Sequence, residues 1–576
     1  MNATQLLAHF DRLAEAPNAV PRLRRFILDL AVRGKLVAQD AADEPAAELL
    51  KRIQVEKARL VKAGSVKASK PLPEIEDVDS SLIPSTWQWT RLAEVGFISP
   101  RNTALDDQIV SFVPMPMIAA DYGIPNQHDA RPWREIKTGY THFAEGDVGL
   151  AKITPCFENG KSTVFRGLTN GIGAGTTELH IVRPVLLSAN YILTYLKSSQ
   201  YIAKGIPRMT GTAGQKRVPT EYFAQTPFPL PPLAEQHRIV AKVDELMALC
   251  DQLEAAQQER EHRRDRLAAA SLQRLNQPAA DSTPETEREH VRFHLRHLPR
   301  LTTRPAHIKS MRQTILNLAV HGRLVAQNAN EEPAVKLLKS IDRERAALLK
   351  ADCPNGPESK TQLRKQAVQV LPEGLSELPS GWAWATLMQC SLLIVDCHNK
   401  TAPYSTSGIP LIRTTNVCDG RFNLKEPKFV DELTYARWSA RCEPKPGDIL
   451  ITREAPMGEV AIIPVGMKIC LGQRMMLARL VPHTIDPRFL LQSLSDPELM
   501  ERVQDKPIGA TVQHLRVGGV ETLLVPLPPL AEQHRIVAKV DELMALCDQL
   551  EAQLITTQTD GRRLLEAVLE AALTPA

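Results

Sequence analysis

Apolar residues recur at alternating intervals of four and three along two stretches of this chain. This is the spacing of the a and d positions of a heptad, so it predicts two long helices that each carry one apolar seam. We expect the two seams to bury each other with the helices antiparallel. The alternative is that each helix packs on neighbours in its own part of the chain. The seam residues are Ile239, Val243, Leu246, Cys250 and Leu253, and then Ile536, Val540, Leu543, Cys547 and Leu550.

The seams lie within a sequence that occurs twice. Residues 229–255 read PLPPLAEQHRIVAKVDELMALCDQLEA, and residues 526–552 repeat them letter for letter. The segment 30–39 returns in similar form at 318–327, and a Trp-x-Trp pair follows each copy before the next block begins. The chain is therefore two half-chains in tandem, and we expect a pseudo-twofold arrangement.

Between these repeats each half contains a block that has diverged from its counterpart. Short β-like runs such as residues 447–452 alternate with Gly, Pro and Asn turns, which is typical of compact domains of mixed structure. The predicted fold class is α+β, with two α/β-type domains separated by an antiparallel pair of long coiled-coil helices. The expected divisions are 1–90 (first helical region), 91–226 (first variable domain), 227–305 (proline-motif helix and join), 306–384 (second helical region), 385–523 (second variable domain) and 524–576 (second proline-motif helix).

Composition narrows the class of protein. A chain of 576 residues is too long for one core. Lys plus Arg number 70 against 66 for Asp plus Glu, so any basic surface must be local. The nine cysteines form no CxxC pair and no zinc-like Cys/His cluster, so we expect no metal site. With no signal peptide and no long apolar run in the sequence, we expect a cytoplasmic protein.

The repeated motifs resemble those of one known family, the specificity subunits of type I restriction-modification systems. The resemblance rests on the blocks 229–255 and 526–552, on the tandem plan, and on the phrase GDVGLAKITPC at 146–156. It implies two target recognition domains that each read one half of an asymmetric, bipartite DNA target. It also implies partners: two modification subunits that use S-adenosylmethionine, and two restriction subunits that use ATP and Mg²⁺. The chain itself would hold no cofactor and carry out no catalysis.

Contacts to DNA need Lys, Arg or turn N–H groups at phosphates, and longer polar side chains at base edges. Basic residues in turn-rich parts of the variable blocks are therefore candidates. They are Arg101, Lys152, Lys161, Arg208, Lys216 and Arg217 in the first block, and Arg413, Arg453, Arg474, Lys506, His514 and Arg516 in the second. Each of them could equally be a solvated surface side chain.

The repeated helices have polar positions beyond the seam that we expect to be exposed. Two identical exposed faces would bind two copies of one partner, whereas a recent duplication would leave the same identity without any function. The candidate partner-binding residues are Gln236, His237, Arg238, Lys242, Asp244 and Glu245, with their copies Gln533, His534, Arg535, Lys539, Asp541 and Glu542.

Two other functions remain open at this stage. One is an interaction scaffold whose variable domains bind proteins. The other is a self-contained nuclease, because Asp129 with Glu135 and Lys137 has the letters of a metal-dependent centre. The corresponding letters in the second block include Pro427 and do not align with the first set, which argues against a nuclease.

Overall fold

The computed structural model describes residues 16–64, 72, 75, 79–212, 214–279, 281–351, 356–398, 400–504 and 514–573. The chain forms two compact units, Met1–Arg260 with Thr557–Ala576, and Glu261–Thr556. Both unit boundaries fall inside a long helix. Each of these helices therefore begins in one unit and ends in the other.

The first half contains a helical pair, a variable domain of mixed structure and one long helix. Its helices are α1 (Ala19–Ala31), α2 (Ala46–Lys62), α3 (Leu92–Val95), α4 (Trp133–Ile136), α5 (Ala189–Lys197), α6 (Ser199–Gly205), α7 (Thr220–Gln225) and α8 (Leu233–Asn276). Its strands are β1 (Gln88–Arg91), β2 (Gly96–Ile98), β3 (Ile109–Val113), β4 (Asp129–Pro132), β5 (Thr141–Ala144), β6 (Val148–Ala151), β7 (Ser162–Val164), β8 (Ile172–Gly175), β9 (Leu179–Pro184) and β10 (Pro227–Leu230).

The second half follows a similar plan, with helix α9 before its helical pair and helix α12 after it. Its helices are α9 (Pro284–Leu301), α10 (Pro305–Val320), α11 (Ala334–Lys350), α12 (Gly356–Ala367), α13 (Leu387–Cys390), α14 (Glu432–Trp438), α15 (Pro487–Leu494), α16 (Val517–Glu521) and α17 (Leu530–Leu573). Its strands are β11 (Ala383–Thr386), β12 (Ser391–Asp396), β13 (Ile409–Ile412), β14 (Val417–Cys418), β15 (Arg421–Phe422), β16 (Lys428–Val430), β17 (Ile449–Arg453), β18 (Met457–Ile462), β19 (Cys470–Leu471), β20 (Met475–Leu480) and β21 (Leu524–Leu527).

The two variable domains have corresponding sheets although their sequences differ, with four strands in the second sheet of the first domain and three in that of the second. The first has an antiparallel sheet β2-β9-β6-β7 and a second sheet β4-β3-β8-β5, in which β3 and β8 run parallel. The second has the corresponding sheets β12-β20-β17-β18 and β16-β13-β19, in which β13 and β19 run parallel. The α+β class and the tandem plan expected from the sequence are confirmed.

One buried ion pair marks the same place in both domains. Asp147, directly before β6, accepts two hydrogen bonds of 2.8 Å from Arg183 on β9 and one of 2.7 Å from the Ala144 amide. In the second domain Asp448 has the same position before β17 and pairs with Arg479 on β20. The faint sequence match at Gly-Asp therefore reflects a shared structural requirement.

Each variable domain begins and ends at the same point. Strand β1 pairs antiparallel with β10, so that Trp89 lies opposite Pro229. Strand β11 pairs with β21 in the same way, and Trp384 lies opposite Pro526. The Trp-x-Trp motif and the proline motif are thus the two sides of one short ladder, from which the long helix continues.

The repeated motifs also meet in a buried joint at the start of each long helix. Glu235 is 1% exposed and accepts hydrogen bonds from the Trp87 Nε1 at 3.0 Å and from the Gln39 Nε2 at 2.7 Å. Gly34 lies against the same Trp87 with φ +66°, and a Cβ there would be 2.3 Å from Pro84 Cγ. Segments that are far apart in sequence are therefore repeated together because they pack together.

The second half contains the equivalent joint. Glu532 is again 1% exposed, and it accepts a hydrogen bond of 3.3 Å from Gln327. Gly322 has φ +65°, and its added Cβ would be 2.5 Å from Pro379. The joint is thus rebuilt around the same residue types.

The first residues of each seam are buried in the core of their own half. Ile239, Val243 and Cys250 belong to the apolar cluster that includes Ile27 and Leu28 of α1, and Leu246 and Leu253 pack against its edge. In the second half, Ile536 and Val540 belong to the cluster of Ala319 and Ile341, and Cys547 is buried. At these positions, each long helix therefore packs on neighbours in its own part of the chain. Mutual burial of the two seams stays a prediction.

The last turns of each long helix pack in the unit where the helix ends. In the first unit, Leu565 and Val568 of α17 contact Ala16 and Ala19. The Lys35 Nζ donates a hydrogen bond of 3.0 Å to the Leu573 carbonyl. In the second unit, Arg323 Nη1 donates 2.7 Å to the Leu275 carbonyl near the end of α8. Lys35 and Arg323 are equivalent positions of the repeat, and a cation suits the negative end of a helix dipole.

Among the described residues, no helix combines the length and the apolar character that crossing a bilayer requires.

Candidate nucleic-acid interface

In the first variable domain, the basic segment 214–217 lies against the end of β6. The Thr154 amide donates a hydrogen bond of 2.9 Å to the Lys216 carbonyl, and the Val218 amide donates one of 2.8 Å to the Lys152 carbonyl. Thr210 and Arg217 exchange two backbone hydrogen bonds, of 3.0 and 2.8 Å, directly after the short helical turn that ends at Arg208. Four of the predicted residues are therefore neighbours. We call Lys152, Arg208, Lys216 and Arg217 the first basic cluster.

The side chains of this cluster differ in their exposure and in whether they form an ion pair. Arg208 and Lys216 are exposed and form no ion pair with a described residue. Arg217, in contrast, pairs with Glu178 through Nε at 2.9 Å and Nη2 at 2.8 Å. This hydrogen bonding holds the pKa of the Glu178 carboxyl below its usual value. Lys216 is thus better placed than Arg217 to meet a phosphate.

The side chains of the other two candidates of this domain have different neighbours. Lys161 turns its Nζ toward the Met115 carbonyl, 3.3 Å away. Arg101 is exposed on the loop after β2 and lies beside His142. The pKa of His142 is lowered, first by burial and to a smaller extent by the Arg101 charge.

The second domain places its basic residues at the corresponding position. The Leu515 amide donates a hydrogen bond of 2.9 Å to the Arg453 carbonyl, which is the equivalent of the bond from Val218 to Lys152. The Arg453 amide donates a hydrogen bond of 2.9 Å to the Arg474 carbonyl. The chain at Arg413 approaches this point, because its neighbour Thr414 donates 3.2 Å to the Ala455 carbonyl. We call Arg413, Arg453, Arg474, His514 and Arg516 the second basic cluster. Lys506 lies outside the described residues.

Two arginines of the second cluster lack partners for buried donors. The Nε atoms of Arg413 and Arg453 are buried without a hydrogen bond, and neither side chain forms an ion pair within the described chain. Arg474 is exposed and pairs with Glu454 at 2.9 Å. A half-buried guanidinium with unused donors is suited to a phosphate or a base edge.

Asp129, Glu135 and Lys137, whose residue types suggested a metal-dependent nuclease, belong to no possible metal site in the part of the chain that is described. No group of three or more His, Cys, Asp or Glu side chains there could hold a metal ion. Lys137, which would have to act beside the carboxylates, pairs with Asp106 at 2.8 Å.

Comparisons with known proteins give the family. A model of the family described as "Type I restriction modification DNA specificity domain" matches residues 177–261 and 440–557. The chain is 37% identical to the type I restriction enzyme EcoAI specificity subunit of Escherichia coli, over 96% of this chain and 94% of the relative. It is 36% identical to the EcoEI specificity subunit of the same organism, over the same shares. The chain belongs to the type I restriction enzyme specificity subunits.

Solved structures of this family were also found. One, from a study of complex assembly and conformational transition of the type I R-M system, aligns with a TM-score of 0.44 at 20% identity, over 85% of this chain and 98% of that one. The HsdS subunit from Thermoanaerobacter tengcongensis aligns with a TM-score of 0.43 at 20% identity, over 85% and 97%. As a specificity subunit, the chain is a DNA-recognition protein and not itself an enzyme.

The expectation of an exposed polar face on the long helices is wrong for two residues. Gln236 and Gln533 are both fully buried. The Gln236 Oε1 accepts 3.0 Å from the amide of Ser188, the N-cap of α5 in the variable domain, and its Nε2 donates 2.9 Å to the Pro231 carbonyl. Gln533 does the same with the Asp486 amide and the Pro528 carbonyl. Both residues attach the specificity subunit's variable domain to its long helix.

Four further candidates on these helices have partners within their own half. Arg238 pairs with Asp43 at 2.6 Å, and Arg535 pairs with Glu331 at the equivalent position. Asp244 accepts 3.0 Å from the Tyr122 hydroxyl, whereas Asp541 pairs with Arg488.

The remaining candidates lie at equivalent positions that recur on each of the two long helices. His237 and His534 are exposed, and each is followed by an ion pair three residues apart, Lys242 with Glu245 and Lys539 with Glu542. We call these six residues the repeated face. His534 also lies beside the second variable domain, with its Nε2 3.9 Å from an Asp486 carboxylate oxygen.

Proposed function

We propose that each variable domain of this specificity subunit binds one half of an asymmetric, bipartite DNA target through its basic cluster. The observation that carries this proposal is the common location of the two clusters, where the Val218 amide bonds Lys152 after β6 and the Leu515 amide bonds Arg453 at the end of β17. Their side chains differ, because the first cluster contains two lysines and two arginines, whereas the second contains four arginines and His514. Different donors at one location favour different base sequences, so the two halves of the target would differ.

Binding of split duplexes tests this proposal. The target would first be read from the methylated motif in the genome of a host that carries the subunit. Lys216→Gln should weaken binding to every duplex and reduce the salt dependence by about one phosphate contact. Arg453→Gln should relax discrimination in one half only. Unchanged affinity and discrimination for both variants, or retention independent of sequence as expected of a protein scaffold, would contradict the assignment.

We further infer that the repeated face binds two modification subunits, which would carry S-adenosylmethionine, and through them two restriction subunits, which would carry ATP and Mg²⁺, in the cytoplasm. Identity at exposed positions of both long helices supports two equal docking sites. The exchange K242E/E245K keeps the ion pair of α8 but reverses its pattern. We expect it to remove one of the two modification subunits, as measured by the mass of the complex, and the exchange on both helices to remove both. A complex of unchanged mass would exclude this face.

A further inference from the structure

Helix α9 has no role in the sites described above, although its composition is unusual. It lies in the join between the two halves, and its residues from His290 to Leu301 include no Asp or Glu. Arg288, Arg292, Arg296 and Arg300 recur at intervals of four and are all exposed. Residues four apart lie on one face of a helix, so the four guanidinium groups form a row.

The opposite side of α9 is fixed to the second unit, which determines where the row points. His294 is 6% exposed, and its Nδ1 lies 2.9 Å from the Ser271 hydroxyl of α8. Glu287 pairs with Arg323 at 3.2 Å. Because these inward contacts fix the rotation of the helix, the arginine row faces solvent.

The row is not neutralised within the described chain. None of its four arginines forms an ion pair there, whereas exposed arginines on other helices do, such as Arg52 with Glu44 and Arg59 with Glu56. The two carboxylates on the exposed side of α9, Glu285 and Glu289, lie toward its first turns, where they suit the positive end of the helix. The last three turns therefore carry arginines and no acidic residue, beside the exposed apolar side chains of Val291, Phe293 and Leu295.

We propose that α9 binds the phosphate backbone of duplex DNA without regard to sequence, at a site outside both variable domains. From Arg288 to Arg300 the row extends for about 18 Å at ~1.5 Å per residue. A duplex carries one negative charge per ~1.7 Å of axis, so it presents about ten charges over that length. These charges outnumber the four arginines of the row, so each arginine can meet a phosphate, and such a contact adds affinity for target and non-target DNA alike.

The test is the salt dependence of binding, with the full-length subunit and a fluorescent 40-base-pair duplex of random sequence. In R292Q/R296Q/R300Q, three phosphate contacts are lost, so the slope of log affinity against log salt should become shallower by about 2 to 3. Affinity at low salt should fall at least tenfold, by the same factor for a duplex that carries the target.

Two matched variants separate charge from structure. K336Q/K339Q/R343Q removes three exposed charges from α11 of the same unit and should leave the slope unchanged. R292K/R296K/R300K keeps the charges of α9 and should retain the slope of the parent. Equal slopes for the two glutamine variants would overturn the proposal. So would intact binding to random duplex with loss of the modification subunit, because α9 would then bind an acidic protein surface.

Discussion

The indole Nε1 of Trp87 donates a hydrogen bond of 3.0 Å to a carboxylate oxygen of Glu235, and both side chains are buried. Trp87 comes from the segment that leads into the first variable domain, and Glu235 from the first turn of α8 that follows it. Together with Gln39 they join three separate repeated motifs at one point. The direction in which α8 leaves the domain depends on this joint.

The joint should make stability depend on pH. Burial is the main cause that raises the pKa of Glu235, and the hydrogen bonds from Trp87 and Gln39 offset it only in part. A raised pKa means that the folded state binds this proton more tightly than the unfolded chain does. Its contribution to stability is therefore present in acid and is lost as the pH rises from the ordinary carboxyl value through the folded pKa.

Glu235→Gln should remove this part of the pH dependence, because the amide can still accept from Trp87 but does not titrate. Between pH 4.5 and 7 we expect the Tm of the parent protein to fall relative to that of the variant. Thermal unfolding across this range measures the difference. Glu289→Gln, on the exposed side of α9, is the control and should follow the parent; a parallel course of Glu235→Gln and the parent would contradict the assignment.

Gly34→Ala should destabilise the first half through both backbone strain and a clash. Its φ is +66°, and the added Cβ would be 2.3 Å from Pro84 Cγ and 3.3 Å from Trp87. Gly64→Ala is the matched control, because φ is +71° there but no atom lies within 4 Å of the new Cβ. The left-handed conformation alone costs roughly 1 to 2 kcal/mol. Denaturant unfolding should show a larger loss for Gly34→Ala than for Gly64→Ala; equal losses would exclude the packing explanation.

Arg183→Met should unfold the first variable domain at a lower temperature. It would leave the Asp147 carboxylate, of which 1% is exposed, without its cation. Removing one partner of a buried ion pair costs about 3 to 5 kcal/mol. The double variant Asp147→Asn with Arg183→Met should recover part of this loss, because no unpaired charge remains. A double-mutant cycle on the unfolding free energy measures the coupling, and strictly additive losses would argue against it.

Gln236→Ala should loosen the attachment of the first variable domain to α8. It would leave the Ser188 amide and the Pro231 carbonyl without partners, at a cost of about 1 to 3 kcal/mol. We expect discrimination against base changes in one half of the target to weaken, and Gln533→Ala to weaken discrimination in the other half. Competition binding with duplexes altered in one half at a time measures this. His237→Ala, at the exposed neighbouring position, should leave both halves unaffected; losses in the same half for both glutamine variants would disprove the docking role.

The heptad spacing and the duplication were sufficient to predict the long helices, the tandem plan and the mixed class of the variable domains, because these depend on local periodicity and on repeated letters. The partners of individual polar side chains depend on distant segments. Arg217 meets Glu178 and Arg238 meets Asp43, and no local pattern brings either pair together. Identity between the repeats was also ambiguous. It marks Gln236 as important but does not distinguish an internal contact from a surface for another protein.

The ladder between β1 and β10 places the two ends of the first variable domain side by side, and β11 with β21 does so for the second. A segment whose ends are held together can gain or lose residues without lengthening the path between its anchors. The helical frame is therefore insulated from insertions, deletions and wholesale divergence within either domain. New DNA target sequences can therefore arise through changes in the variable domains while strands β1, β10, β11 and β21 stay the same.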